Sequence, residues 1–274
     1  MAKTKTTQHY FRKSNLAEII DFGQNEFDGN FTLRVTNYTA SIKAGNEKFF
    51  FANEPMDKTA FRYYQKINKE LGGEIRETPG TIKYFDFSGM DRNQEITHLW
   101  CVDINSAYLS VLKNEKVITP ETFGWINTTS RKNAKTKISR LKAVGMFAKN
   151  PLEVIYTNKE ITKFSHERNP FQWVFFTACQ KTGEAMELCK KELGDDYLFY
   201  WVDGIFTRKN PEKIVKILKT LGFQSKIEYV TKLKKTDKNI VFEKEGKQKI
   251  LFLPQTYSEE IREFDLSLKN TITL

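Results

Sequence analysis

Two aspartates sit where a fold can turn them into a reaction centre. Asp103 closes the apolar run LWCVD and is followed at once by NSAYLSVLKN, so its carboxylate lies at a strand end beside a helix N-terminus. Asp203 lies between YLFYWV and IFT, where Asp203-Gly204 between two β-rich runs signals a hairpin tip. A carboxylate at the end of one buried strand, facing another at an adjacent hairpin, offers two hard oxygen ligands to Mg²⁺ or Mn²⁺. Phosphoryl and nucleotidyl transfer need that arrangement, because charge on both the attacking and the leaving oxygens must be neutralised. Two ordinary roles stand beside this reading. Asp103 serves equally as an N-cap for the following helix, and Asp203-Gly204 as a plain turn.

The elements that must position these residues are mixed α and β, without a regular βαβ repeat. Strands are expected at 31–36, 48–52, 82–87, 97–103, 153–157, 197–202, 205–207, 224–230, 238–243 and 248–253. Helices are expected at 57–71, opened by Asp57 and closed by Gly72 and Gly73, and at 105–114. Others follow at about 130–147 after Pro120, at 171–193 after Pro170, at 211–221 from Pro211 and near 257–265. The aromatics Phe49, Phe50, Phe51, Phe61, Tyr63 and Tyr64 read as core rather than as a platform for stacked bases.

Composition narrows the class of function. The 274 residues include 44 Lys+Arg and 34 Asp+Glu, so the net charge is 44 − 34 = +10. Hydrophobics at 39% and charged residues at 28% describe a globular chain rather than a disordered or fibrous one. Residues 131–142 carry six basic side chains and no acid, and lysine dominates 232–249. Such clusters are the footprint of a polyanion binder; a solvated lysine-rich surface is the alternative. No window approaches the roughly 18 apolar residues of a membrane helix. The start, MAKTKTTQHYFRKSN, is followed by no apolar stretch, which argues against a signal peptide and for the cytoplasm. Cys101, Cys179 and Cys189 are odd in number and lack any CxxC spacing, so buried free thiols are expected. The three histidines show no zinc spacing, which leaves carboxylates as the metal ligands available.

DINSAYLSVL (residues 103–112) resembles the A motif of family B DNA polymerases, Asp-x-x-Ser-x-Tyr-Pro-Ser, with Asp103, Ser106, Tyr108 and Ser110 matching and Leu109 in place of proline. FYWVDGIF (residues 199–206) is similar to the C motif, Tyr-x-Asp-Thr-Asp-Ser-x-Phe, with Asp203 on its second aspartate. The run from Asn169 to Asp196 resembles the long helix leading into that motif. KISRLKAVGMFAKNP (residues 137–151) resembles a worn B motif in which Lys137, Gly145 and Phe147 match. The order A, B, C fits the shorter polymerases of bacteriophages and mobile elements. The departures are Trp201 at the first C-motif aspartate, Gly204 for its serine, and Leu141-Lys142-Ala143-Val144 for the Asn-Ser-x-Tyr of motif B.

The resemblance implies an α+β polymerase palm with an antiparallel sheet and packed helices, minimal fingers and thumb, and no exonuclease domain. It divides the chain into residues 1–96, a palm at 97–230 with a short fingers insertion about 115–150, and a basic thumb-like region at 231–274. Asp103 and Asp203, joined by Ile104, would hold the catalytic Mg²⁺ or Mn²⁺ ions. Asn105, Ser106 and Ala107 would cradle the triphosphate at a helix N-terminus, and Tyr108 would lie under the sugar and reject a ribose 2′-hydroxyl. Lys137 would face the triphosphate, and Gly145 would let its helix approach the template base pair. Trp201 would stack on a primer base or fill core. Lys235 and Lys238 would contact nucleic acid, with Ile240 standing where the family has tyrosine. Partners would be a DNA primer–template, deoxynucleoside triphosphates and a priming or replication protein, with no membrane; the compartment would be the cytoplasm, a host's for a phage or mobile element. Two other readings remain: a catalytically lapsed palm acting as a nucleic-acid-binding module in a larger assembly, and a metal-dependent nuclease or RNA-directed transferase on the same carboxylates.

Overall fold

Apolar alternation and well-placed caps organise the described residues into fifteen strands and seven α-helices in a computed structural model. The structure describes residues 7–11, 16–35, 39–52, 57–91, 93–130, 134–150, 152–157, 160–166, 168–237, 239–244, 246–253 and 262–263. In chain order these form β1 (Thr7–Phe11), α1 (Leu16–Phe27), β2 (Thr32–Val35), β3 (Thr39–Ala44), β4 (Glu47–Ala52) and α2 (Lys58–Glu70). Then come β5 (Thr81–Ile82), β6 (Phe85–Asp86), β7 (Glu95–Ile104), α3 (Ala107–Asn114), α4 (Pro120–Ser130), α5 (Ala134–Gly145), β8 (Leu152–Thr157) and β9 (Glu160–His166). The rest are α6 (Gln172–Leu193), β10 (Tyr197–Trp201), β11 (Gly204–Thr207), α7 (Pro211–Thr220), β12 (Ser225–Lys235), β13 (Asn239–Lys244), β14 (Lys247–Phe252) and β15 (Arg262–Glu263). All strand pairs but β1–β4 are antiparallel, which makes the class α+β as expected.

The chain divides into two units, Met1–Arg76 with Thr128–Gln172, and Glu77–Asn127 with Trp173–Leu274. This division differs from the one expected. Residues 77–96 fold with the second unit, 128–150 with the first, and β13 and β14 extend the second unit's sheet.

In the first unit the sheet order is β1-β4-β3-β2-β8-β9, and α1 lays Ile19 against Phe31, Leu33, Ala40, Ile42 and Phe49. Asp57 caps α2: its Oδ1 accepts from the Ala60 amide at 3.0 Å, and its Oδ2 accepts from the Ser139 hydroxyl of α5 at 2.6 Å. Tyr63 is buried and the Tyr64 ring lies 4.6 Å from that of Phe147, so these aromatics and Phe49 are core, as expected. The side chains of Phe50 and Phe51 lie outside the described residues.

In the second unit the sheet order is β14-β13-β12-β7-β11-β10-β6, with β7 in the middle. One face carries an apolar cluster that includes Leu99, Cys101, Phe199, Phe206 and Val230 under Phe87. On the other face Val102, Ile104, Ile205 and Tyr200 are buried, and the Tyr200 hydroxyl donates to Glu187 of α6 at 2.7 Å. Two helical expectations change. The helix expected at about 130–147 is present as α5, and an unexpected α4 precedes it, because Pro120 opens a helix at its first position and the Thr119 hydroxyl accepts from the Thr122 amide at 3.2 Å. The helix near 257–265 lies outside the described residues, except that Arg262 and Glu263 pair with β5 as a strand. Among the described residues no helix is long and apolar enough to cross a membrane.

Candidate active site

The middle strand and the hairpin beside it bring the two aspartates together. In the antiparallel β7–β11 pair Asp103 faces Gly204, and the Ile104 amide donates to the Asp203 carbonyl at 2.9 Å. Asp203 thus sits one main-chain hydrogen bond from the residue after Asp103. The turn itself is Val202–Asp203, with Trp201 paired to Gly204, so Gly204 opens β11 rather than lying at the tip. Val202 takes the left-handed φ of +54°, an uncommon conformation for a β-branched residue.

Asp103 does not cap the following helix. That position belongs to Ser106, in the left-handed region at φ +58°, whose hydroxyl donates to Asn127 Oδ1 at 2.7 Å. The Asp103 side chain keeps 33% of its surface exposed. Burial nevertheless raises its carboxyl above the usual value; Glu228 adds to the rise, and Lys226 and Lys244 oppose it.

Asn105 spends its amide on the Gln224 carbonyl at 2.8 Å, so the amides of Ile104 and Asn105 are both engaged in main-chain bonds. An anion at this helix would therefore meet the amides of its first turn rather than those of Ile104 and Asn105. Tyr108 stands half-buried on the first turn of α3, its ring edge-on to Phe175 at 6.0 Å, in a cluster with Tyr84, Cys179 and Ile82. Burial raises its phenol, as do contact with Cys179 and the negative charge of Asp203, so the hydroxyl stays protonated.

A second set of charged groups borders Asp103. Lys226 lies opposite Asp103 in the β7–β12 register, its Nζ 3.5 Å from Asp103 Oδ2 and 2.6 Å from Glu228 Oε1. Lys244 of β13 pairs with Glu228 Oε2. Burial would raise the Glu228 carboxyl, but hydrogen bonds from these two lysines bring it down to about 2. Lys226 and Glu228 were not singled out in the sequence, although two charged residues spaced i, i+2 in the strand SKIEYV share one face.

The other expected residues have the following surroundings. Trp201 stacks on Phe85 at 5.4 Å and leans on Phe87, which is the core-filling alternative. Lys235 is buried, donating to the Met90 carbonyl at 2.9 Å beside the Phe87 ring, so its ammonium is turned inward rather than toward a nucleic acid. Lys238 lies outside the described residues. Lys137 is exposed on α5 in the first unit, and Gly145 ends that helix with open space beside its Cα. Cys101, Cys179 and Cys189 are free, and burial pushes their thiols up to about 12, about 11 and about 12.

Among the described residues no group of three or more His, Cys, Asp or Glu side chains is arranged to hold a metal ion. The donor set at this site is two carboxylates and main-chain oxygen; an isoleucine side chain has no donor atom, so Ile104 could serve only through its carbonyl. Hard oxygen donors of this kind fit Mg²⁺ or Mn²⁺, and a cation would offset the burial that raises Asp103.

No protein-family model and no curated protein matches the chain. Among solved structures, phi29 DNA polymerase complexed with single-stranded DNA aligns over 89% of this chain and 80% of that chain, at 11% identity and a TM-score of 0.49. A likeness at that distance carries neither fold nor function across to this chain.

Proposed function

We propose that the second unit is a polymerase-type palm and that the protein adds deoxynucleotides to a primer end on a DNA template. The observation that carries the proposal is the hydrogen bond from the Ile104 amide to the Asp203 carbonyl, which holds the β10–β11 turn beside the end of β7, where Asp103 lies four residues before α3. Asp103, Asp203 and the Ile104 carbonyl would hold Mg²⁺ or Mn²⁺. Such an ion would supply the charge neutralisation that nucleotidyl transfer needs. The first-turn amides of α3 orient the triphosphate. The Tyr108 ring, packed against Phe175 and beside Cys179, would lie under the sugar and reject a ribose 2′-hydroxyl. Lys137 and Gly145 belong to the first unit.

Primer extension with Mg²⁺ tests it. Wild-type protein should extend a DNA primer, and Asp103→Ala and Asp203→Ala should each lower the rate by on the order of 10³-fold or more. Activity that survives both substitutions would overturn the assignment. One observation favours a second reading, a lapsed palm that only binds nucleic acid: Trp201, standing for a carboxylate, is committed to a stack on Phe85. That reading expects no extension with either metal, and DNA binding that ignores divalent cations and survives Asp103→Ala.

A further inference from the structure

Lys226 is shared between two carboxylates. Its shorter contact is with Glu228 Oε1 at 2.6 Å and its longer one with Asp103 Oδ2 at 3.5 Å. Lys244 takes the other oxygen of Glu228, so two ammonium groups and two carboxylates alternate along β7, β12 and β13. The Lys226 side chain is 46% exposed on a flexible four-carbon stem, which leaves its head free to shift. An ammonium and a divalent cation on one carboxylate repel each other at such range. We propose that Lys226 is the resident counter-cation of Asp103, and that a divalent metal displaces it onto Glu228. Glu228 then keeps the displaced ammonium close by, and Asp103 passes from one cation to the other without standing uncompensated. Lys226 is a positioning residue in this scheme, which rests on Asp103 being a metal ligand.

Mn²⁺ binding to the purified full chain, followed by electron paramagnetic resonance without nucleotide or DNA, tests the exchange. Lys226→Met should bind Mn²⁺ about threefold to tenfold tighter than wild type, because the competing ammonium is gone. Lys226→Arg, which keeps the charge, should stay near wild type, and Asp103→Asn should lose the bound Mn²⁺. Lys226→Gln repeats the first comparison should the Met variant fold poorly, as judged by its melting curve. Unchanged or weaker Mn²⁺ binding in both neutral variants, with Asp103→Asn still abolishing it, overturns the exchange and leaves the metal site standing. Mn²⁺ binding that Asp103→Asn does not reduce, or no Mn²⁺ binding by wild type, overturns the metal site and the exchange with it.

Discussion

Asp86 and Asp103 are carboxylates of the same sheet, and their surroundings push them in opposite directions. Burial raises both, and at Asp103 it prevails. At Asp86, whose side chain is 4% exposed, hydrogen bonds outweigh it and hold the carboxyl well below its ordinary value. The donors are Lys190 at 2.8 Å, Lys83 at 3.1 Å, the Ser88 amide and hydroxyl at 3.0 and 2.6 Å, and the Tyr197 hydroxyl at 2.8 Å. A carboxyl depressed in the folded state contributes stability that is complete above its unfolded value of about 4 and drains away as the pH falls below it. Asp86→Asn leaves two lysines facing a neutral amide, and breaking a buried pair costs about 3 kcal/mol near neutral pH. Urea unfolding at pH 7 should give that difference from wild type, and at pH 3 the difference should shrink. An equal gap at both values would assign the loss to packing instead of charge.

The hairpin that carries Asp203 joins sequence to site at the next scale. The Phe199–Phe206 stack, with rings 4.1 Å apart and 12° from parallel, sits within the β10–β11 pair. That pairing places Val202 and Asp203 at the tip and forces Val202, not Gly204, to positive φ. The left-handed conformation costs a non-glycine residue about 1–2 kcal/mol, and strain of this kind collects at functional turns. Val202→Gly should therefore stabilise the protein by about 0.5 to 1 kcal/mol after the entropy glycine adds to the unfolded chain; an unchanged or lower urea midpoint would show the turn to be unstrained. Local signals made much of this legible: Asp57 and Gly72 bound α2, Pro211 opens α7, and Asp203-Gly204 marked the hairpin to within one residue. What escaped depends on partners distant in sequence. No helix is expected from the sequence at α1, which contains Gly23; there a Cβ would come within 2.5 Å of the Phe31 ring. Lys226 looks like any surface lysine until the β7–β12 register sets it opposite Asp103.

Net charge belongs to the whole molecule, and its +10 is not evenly available. Lys235 is buried, and Lys83, Lys190, Lys226 and Lys244 are committed to carboxylates of the second unit. Exposed cations remain in both units, Lys137 and Lys142 in one, and Lys234 in the other. Binding through such side chains releases counterions from the phosphate backbone, so affinity must fall linearly with salt on logarithmic axes. With four phosphate contacts, affinity for a DNA primer–template should drop about 10²-fold between 50 and 200 mM salt. Fluorescence anisotropy measures it directly. The salt slope alone fits an active palm and a lapsed one equally, since neither needs its metal site to attract DNA. Mg²⁺ with the next complementary deoxynucleotide divides them. In an active palm the pair should bind at Asp103 and Asp203 and slow the release of primer–template, and Asp103→Ala should abolish that slowing while leaving the metal-free affinity and its slope unchanged. Release rates indifferent to both metal and nucleotide would make the protein a binder of nucleic acid and remove the case for catalysis.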